Sequence, residues 1–422
     1  MTQNPELTAS ILENDDCYKF TLKNIHTSTA NAIRRTILSD IPIHAFRTES
    51  EEVNTCKVLT NTTRFHNEII KQRLSCIPIH YRIEKDKITS IDKWKEPWDT
   101  PSPTSMLDEE KGVGLFRYEL ELDVSNDEEH QLKWVTTEDF QLKDRETGKY
   151  LAREEVRKIF PPNGKTQRYI DFLRLRPSIG PTIPGEQIKL VARFSTCTAK
   201  VNGMFNAVSV CTYQNKIDIA KRDSEWEKQL KIMQSKDDFE TKTEEDKRFE
   251  KENFLQLQGQ RYFVANQKGE PIEFDFTIQS IGIYEPSNIV QMSCDILMDK
   301  FKLMIENIDS DLQKVIASDK IRDSGEFLTV TESTIPNCYD IVLENEDYTI
   351  GCVLERILYD MFFEGEKIMT FVGFKKYHPH DSYSIVRIAY KEDVPTLTRN
   401  VHLKKAAAYA VEIFQKIRMK IV

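Results

Sequence analysis

Residues 17–25, CYKFTLKNI, alternate apolar and polar side chains with the period of a half-buried strand. Ser28 or Thr29 then offers a cap for a helix. In that helix Ala30, Ile33, Ile37 and Ile41 make an apolar stripe at spacings of three and four, and Pro42 stops it. The same order returns near the other end of the chain. YDIVLEN (339–345) reads as a strand, Thr349 as the cap, and Ile350, Val353, Leu354, Ile357, Leu358 and Met361 as the stripe, with Gly365 as terminator. Residues 17–38 align on 338–359 without a gap, so that Cys17, Tyr18, Leu22, Asn24 and Arg35 fall on Cys338, Tyr339, Leu343, Asn345 and Arg356.

Each copy is completed by a second strand and helix. FDFTIQSIGI (274–283) has period two, and a helix from about Ser287 carries Val290, Cys294, Leu297, Phe301, Met304 and Ile308 at spacings 4-3-4-3-4. YSIVRIAY (383–390) is the matching strand, and its helix carries Leu403, Ala407, Ala410, Phe414, Ile417 and Ile421 at the same spacings. A seam of this kind wants a partner helix. Two seams of about five turns each are equal in length, so each helix either packs on its own sheet, packs on its twin, or does both. Ala406, Ala407, Ala408 and Ala410 would let two axes come close.

The predicted class is therefore α+β: a pseudo-twofold pair of strand–helix–strand–helix units in one chain, with a β-rich insert. The first unit takes residues 1–52 with 269–308, the insert 53–268, a polar linker 309–326 and the second unit 327–422. Within the insert, NEIIKQRLSCIPI is a short amphipathic helix ending at Pro78. LFRYELELDV (115–124), EQIKLVARF and AVSVCTY read as strands, and the proline-rich stretch 94–112 as an exposed loop. Residues 221–253 are about half charged with mixed signs, a solvated helix or a mobile excursion.

The formal charge of -9 argues against a protein whose main task is to grip nucleic acid. No run of about 18 apolar residues suggests a membrane span, and the opening MTQNPELTAS has neither the basic start nor the apolar core of a secretory leader. The eight cysteines include no CxxC pair, so a cysteine-based zinc site is not expected and buried thiols are. GxxxxGK[ST], HExxH, GxSxG and GxGxxG are absent. DSD at 309–311 sits in the linker, and HPH at 378–380 reads as a turn at Pro379. No catalytic constellation, metal site or cofactor site emerges. What stands out is basic: Arg34 and Arg35 off the apolar stripe, and Arg73 with Lys71 on the insert's first helix. They make either a solvated face or an interface of arginine forks.

These stretches carry a family resemblance. FTLKNIHTSTANAIRRTILSDIP resembles the signature of the alpha-type subunits of multisubunit DNA-dependent RNA polymerases, a strand, a loop and a helix of the form ANSLRR ending in proline. NEIIKQRLSCIPI is similar to that family's HRLGLIPL element, and GEQIKLVARF to its GQELKLTCVA strand. IPNCYDIVLENEDYTIGCVLERIL and FVGFKKYHPHDSY resemble the smaller partner of the pair.

The resemblance implies both halves of an alpha-like heterodimer fused in one chain, a habit of large DNA viruses. It implies a non-catalytic assembly platform in a nucleotidyltransferase complex, acting inside the cell and, if viral, in the host cytoplasm and the virion. The implied partners are two large subunits and a small zinc-binding subunit, with little nucleic-acid contact, no membrane, no cofactor and no homo-oligomer. Carried over, Asn31, Arg34, Arg35, Arg73, Ile77 and Pro78, with Thr349, Gly351 and Arg356 in the second copy, would face the large subunits. Val290, Leu297, Phe301, Met304, Leu403, Ala407, Ala410, Phe414 and Ile417 would form the pairing helices.

Three departures stand out: the insert lacks the cysteine cluster of some members, NGMFNAVSV (202–210) stands where the family has a tract with His, Lys and Pro that contacts a large subunit, and Glu355 takes the place equivalent to Arg34, so the two faces differ in charge. The alternative reading is a free-standing dimerisation or adaptor protein outside any polymerase.

Overall fold

A computed structural model describes residues 3–13, 17–80, 114–180, 182–234, 243–310, 315–317 and 335–421. The loop 94–112, residues 311–314 and 318–326 of the linker, the start of the second unit to 334, and residues 235–242 of the charged segment lie outside the described residues.

Along the chain, β1 (Glu6–Glu13), β2 (Cys17–Lys23) and α1 (Thr27–Ser39) come first, then β3 (Pro42–Ala45), β4 (Cys56–Asn61) and α2 (Asn67–Ser75). There follow β5 (Tyr118–Ser125), β6 (Lys133–Thr136), β7 (Gln141–Asp144), α3 (Arg153–Ile159), β8 (Asp171–Leu175), β9 (Gln187–Arg193) and β10 (Ser195–Thr198). Next are β11 (Val208–Asn215), α4 (Ile219–Gln234), α5 (Glu244–Leu257), β12 (Glu273–Ser280) and α6 (Pro286–Asp309). The chain closes with β13 (Val315–Ala317), β14 (Cys338–Glu344), α7 (Tyr348–Leu358), β15 (Met369–Lys375), β16 (Tyr383–Tyr390) and α8 (Thr396–Lys420). This mixture of helices and small sheets is in keeping with the α+β class.

Two compact units divide the chain, one made of residues 1–37, 210–279 and 286–422, the other of 38–209 and 280–285. The first unit holds two four-stranded sheets, ordered β1–β2–β12–β11 and β13–β14–β16–β15. Position for position they match. The first strand of each repeat, β2 or β14, pairs antiparallel with the second, β12 or β16. On its far side it pairs antiparallel with β1 or β13. Phe276 lies opposite Phe20, and the two rings stack with centroids 5.0 Å apart.

Several boundaries differ from the sequence reading: residues 38–52 and 280–285, read as part of the first repeat, fall in the compact unit that holds most of the insert. Residues 315–317, inside the stretch read as linker, form a strand, too short to show a period of its own. Residues 210–268, read as insert, belong with the first unit because β11 completes the sheet beside β12. The described parts of the charged segment lie in two helices, α4 and α5, which meet through Trp226 and Phe254 with centroids 5.3 Å apart.

The compact unit of residues 38–209 and 280–285 is β-rich. Its four-stranded sheet β4–β9–β5–β7 and the pairs β3–β10 and β6–β8 enclose a core that includes Phe46, Leu120, Phe140 and Phe172. α2 buries Ile70 and Leu74 in that core.

In the first unit α6 and α8 pack along each other. Gln291 donates to the Ile421 carbonyl at 2.7 Å, Asp295 pairs with Arg418 at 2.6 Å, Phe301 stacks on Phe414 with centroids 6.2 Å apart, and Asp309 pairs with Lys404. As the number rises on one helix it falls on the other, so the two run antiparallel. Every seam position is buried: Val290, Cys294, Leu297, Phe301, Met304 and Ile308 on α6, and Leu403, Ala407, Ala410, Phe414, Ile417 and Ile421 at α8. Ile289, Ile296, Ala406 and Ile413 are buried beside them, so more than one stripe of each helix is covered. Ala408 is exposed and takes no part.

Phe301→Ala and Phe414→Ala should each cost about 3–5 kcal/mol, the usual penalty for emptying a fully buried ring site. Because the rings touch, the double variant should cost less than the two single losses together, by chemical denaturation. Additive losses would contradict a shared seam.

Candidate functional site

Each repeat turns from strand to helix through an asparagine of positive φ, 57° at Asn24 and 56° at Asn345. Asparagine is the side chain that best tolerates this left-handed region, which costs others about 1–2 kcal/mol. The aligned asparagines therefore preserve a backbone requirement. The helix starts just beyond are also equivalent. His26 Nδ1 accepts from the Ser28 amide at 3.1 Å, and an Asp347 carboxylate oxygen accepts from the Thr349 amide at 2.9 Å. The caps are thus His26 and Asp347, not Ser28, Thr29 or Thr349. A cap must precede the helix and accept from its first free amides, whereas those hydroxyls stand within the first turn.

Thr349 has a different task. Arg35 Nε on α1 donates to Thr349 Oγ1 at 2.9 Å, and Arg35 Nη2 donates to Asp347 Oδ2 at 2.5 Å. Burial pushes the Asp347 carboxyl up, but the Thr349 hydrogen bonds and Arg35 together hold it below the usual range. Arg356, the residue aligned with Arg35, reaches the other way. Its Nη1 and Nη2 donate to the two carboxylate oxygens of Glu270 at 2.8 and 2.9 Å, and its Nε donates to Asp360 at 3.0 Å. The planar guanidinium matches a carboxylate at both oxygens at once. Glu270 is held down to about 2, chiefly by the Arg356 hydrogen bonds acting against burial. Burial, and then the Arg356 cation, lower His26 to about 4, so that cap is neutral near pH 7.

The two arginines make a reciprocal arrangement with one substitution. Arg35 finds an acid in the cap of the other repeat. Arg356 faces a neutral histidine there, and Glu270, from the turn before β12, supplies the missing charge. The sequence signal for Asp347 was its alignment with His26. Glu270 lies in the turn NQKGEP, where no periodicity marks it.

Arg34 is placed differently. Its Nε and Nη2 both donate to Asn31 Oδ1, at 3.1 and 2.9 Å, and among the described residues no carboxylate pairs with it. Asn31 and Arg34 line a surface cleft with Thr27, the strand residues Cys211–Asn215, Gln260 and Pro271. At the equivalent place on α7, Glu355 is half-buried, and burial raises its carboxyl. Gly351 lies against Phe374, whose ring would be 2.0 Å from an added Cβ. Tyr348 is half exposed, edge-on to the same ring at 5.1 Å.

Arg73, Ile77 and Pro78 lie in the other compact unit. Arg73 donates to the carbonyls of Phe172 and Asp171 at 2.7 and 3.1 Å and stands 5.8 Å above the Phe65 ring. Ile77 is buried and Pro78 half-buried. Among the described residues no three His, Cys, Asp or Glu side chains come together as a metal site.

A family model for the RNA polymerase Rpb3/Rpb11 dimerisation domain matches residues 19–301. Among curated proteins, the DNA-directed RNA polymerase subunit Rpo3 of Pyrococcus furiosus is 33% identical over 87 residues, covering 20% of this chain and 31% of that protein. This chain therefore matches under a third of that relative. The second repeat lies beyond the residues that the family model matches.

Two outcomes test this geometry. Glu270 has its ordinary value of 4.5 when unfolded and about 2 when folded, so its contribution is whole above about pH 4.5 and is lost as the pH falls toward 2. His26 acts with the same sign between 6.5 and about 4. Acid should therefore lower the melting temperature in two stages, and Glu270→Gln should flatten the lower one; an unchanged slope there would contradict the pairing. Gly351→Ala should cost about 1–3 kcal/mol by overpacking against Phe374, read as a shift in denaturation midpoint.

Proposed function

The chain belongs to the RNA polymerase Rpb3/Rpb11 dimerisation domain family, and from that premise we propose that it is a non-catalytic assembly subunit of a DNA-dependent RNA polymerase. It carries both members of the family's dimer in one polypeptide and mounts the two large subunits. The observation that carries this reading is the second strand–helix–strand–helix copy. It lies in the same compact unit as the first, with the same strand order, an antiparallel helix seam, and arginines that cross between the copies. Such a tethered pair behaves as a dimer at an effective concentration on the order of millimolar. A fusion of this kind suits a compact viral transcription apparatus, and a small zinc-binding subunit would complete the assembly.

Sign reversal between the equivalent residues Arg34 and Glu355 supports two non-identical faces, each for a different large subunit. Arg35 and Arg356 serve the pairing of the copies; Arg34, Asn31, Glu355 and Tyr348 are the better candidates for outward contact.

Co-expression of the tagged chain with the two large subunits of its own source should give a stable ternary complex that synthesises RNA. The chain alone should synthesise none. Glu355→Arg should release one large subunit and retain the other, with an unchanged melting temperature. Recovery of the chain alone, or of both large subunits after Glu355→Arg, would contradict the reading.

A further inference from the structure

Four arginines stand out in the sequence, and three are committed inside the chain. Arg35 is held by Asp347 and Thr349, Arg356 by Glu270 and Asp360, and Arg73 by two backbone carbonyls. Among the described residues Arg34 bonds only to a neutral amide. It lines an open cleft of about 620 Å³, and among the described residues it is the one charged residue of the lining. The neutral hydroxyls and amides of the described wall can accept from a guanidinium but supply no counter-charge for it.

The shape of the cleft says what would fill it. Its wall includes five consecutive residues, Cys211 to Asn215, all on β11. On a strand, successive side chains alternate between faces. A cleft lined by every residue in turn therefore runs along the strand's edge, not over one face. β11 is the terminal strand of its sheet, so this is an edge that meets no further strand of the described residues. An open edge is a template for an extended segment. The cleft is not built for chemistry: burial pushes the Cys211 thiol up to about 12, despite the Arg34 cation. Nor does it suit a nucleic acid, because one guanidinium on a chain of net charge -9 offers no track for successive phosphates.

We propose that this cleft binds an extended acidic segment of a partner polypeptide, added as a strand along β11, with a carboxylate of that segment paired to Arg34. The inference rests on the polymerase reading for its partner, a segment of one of the two large subunits. It also explains the sign change between the repeats. β15 is the edge strand equivalent to β11, and there Glu355 replaces Arg34, so the same acidic segment is repelled from the second copy.

The test uses the full chain and overlapping peptides that cover both large subunits of the same polymerase, with binding read by fluorescence anisotropy. One acidic peptide should bind, and more weakly at high salt. Arg34→Glu should weaken it at least tenfold at an unchanged melting temperature. Replacing that peptide's acidic residue by Lys should restore binding to the Arg34→Glu chain. An acidic peptide that binds Arg34→Glu as well as it binds the native chain overturns the proposal. So does displacement of that peptide by single-stranded DNA. If no peptide binds while the chain still co-purifies with the large subunits, the cleft assignment fails and the polymerase reading stands. If the chain co-purifies with neither, both fall.

Discussion

Two long helices that bury one another's apolar stripes hold the first unit together. α6 and α8 are the last elements of their respective repeats, and each seam residue on one is covered in the folded chain. Neither could present that stripe to water without exposing several large side chains, each of which contributes roughly 1.5–3 kcal/mol when buried. Phe301 against Phe414 is the centre of this contact, and the alanines of α8 keep the wall opposite the larger residues thin. The ion pairs at Asp295–Arg418 and Asp309–Lys404 lie at partly exposed positions and add little energy, but they define the antiparallel direction.

Polar contacts then specify how the copies meet. Arg35 and Arg356 are equivalent by alignment, and each crosses to the other repeat. A twofold pair of identical chains would use one contact twice. Here the contact has diverged: Asp347 receives one arginine, while its equivalent His26 is a neutral cap and Glu270 receives the other. Divergence of this kind becomes possible once the two copies are separate positions of one chain. Arg34 and Glu355, at equivalent positions of the two repeats, carry opposite sign.

Much of this was legible in the sequence. The repeat was visible because strand and helix periods recur in order, and the seams because a 4-3 spacing survives over several turns. Asn24 and Asn345 were visible as an alignment, although the reason, a left-handed backbone, is a property of φ that no periodicity reports. The caps were misjudged because serine and threonine are common caps and stood nearby. The acceptors that count, His26 and Asp347, sit two residues earlier. Glu270 and β13 gave no signal at all, one being a lone acid in a turn and the other a three-residue strand. β11 was legible as a strand but not as a member of the first sheet, since pairing with β12 is a long-range choice. Of the arginines, only geometry could separate Arg34, which bonds to a neutral amide, from Arg35, which pairs with the Asp347 carboxylate.

The most direct measurement is the subunit stoichiometry of the complex purified through a tag on this chain from its native source, read by native mass spectrometry. One copy of the chain with one each of the two large subunits, and no separate small alpha-like partner, is the expected result. Two copies of the chain, or one copy with an additional small partner, would contradict the claim that a single polypeptide supplies both halves of the pair.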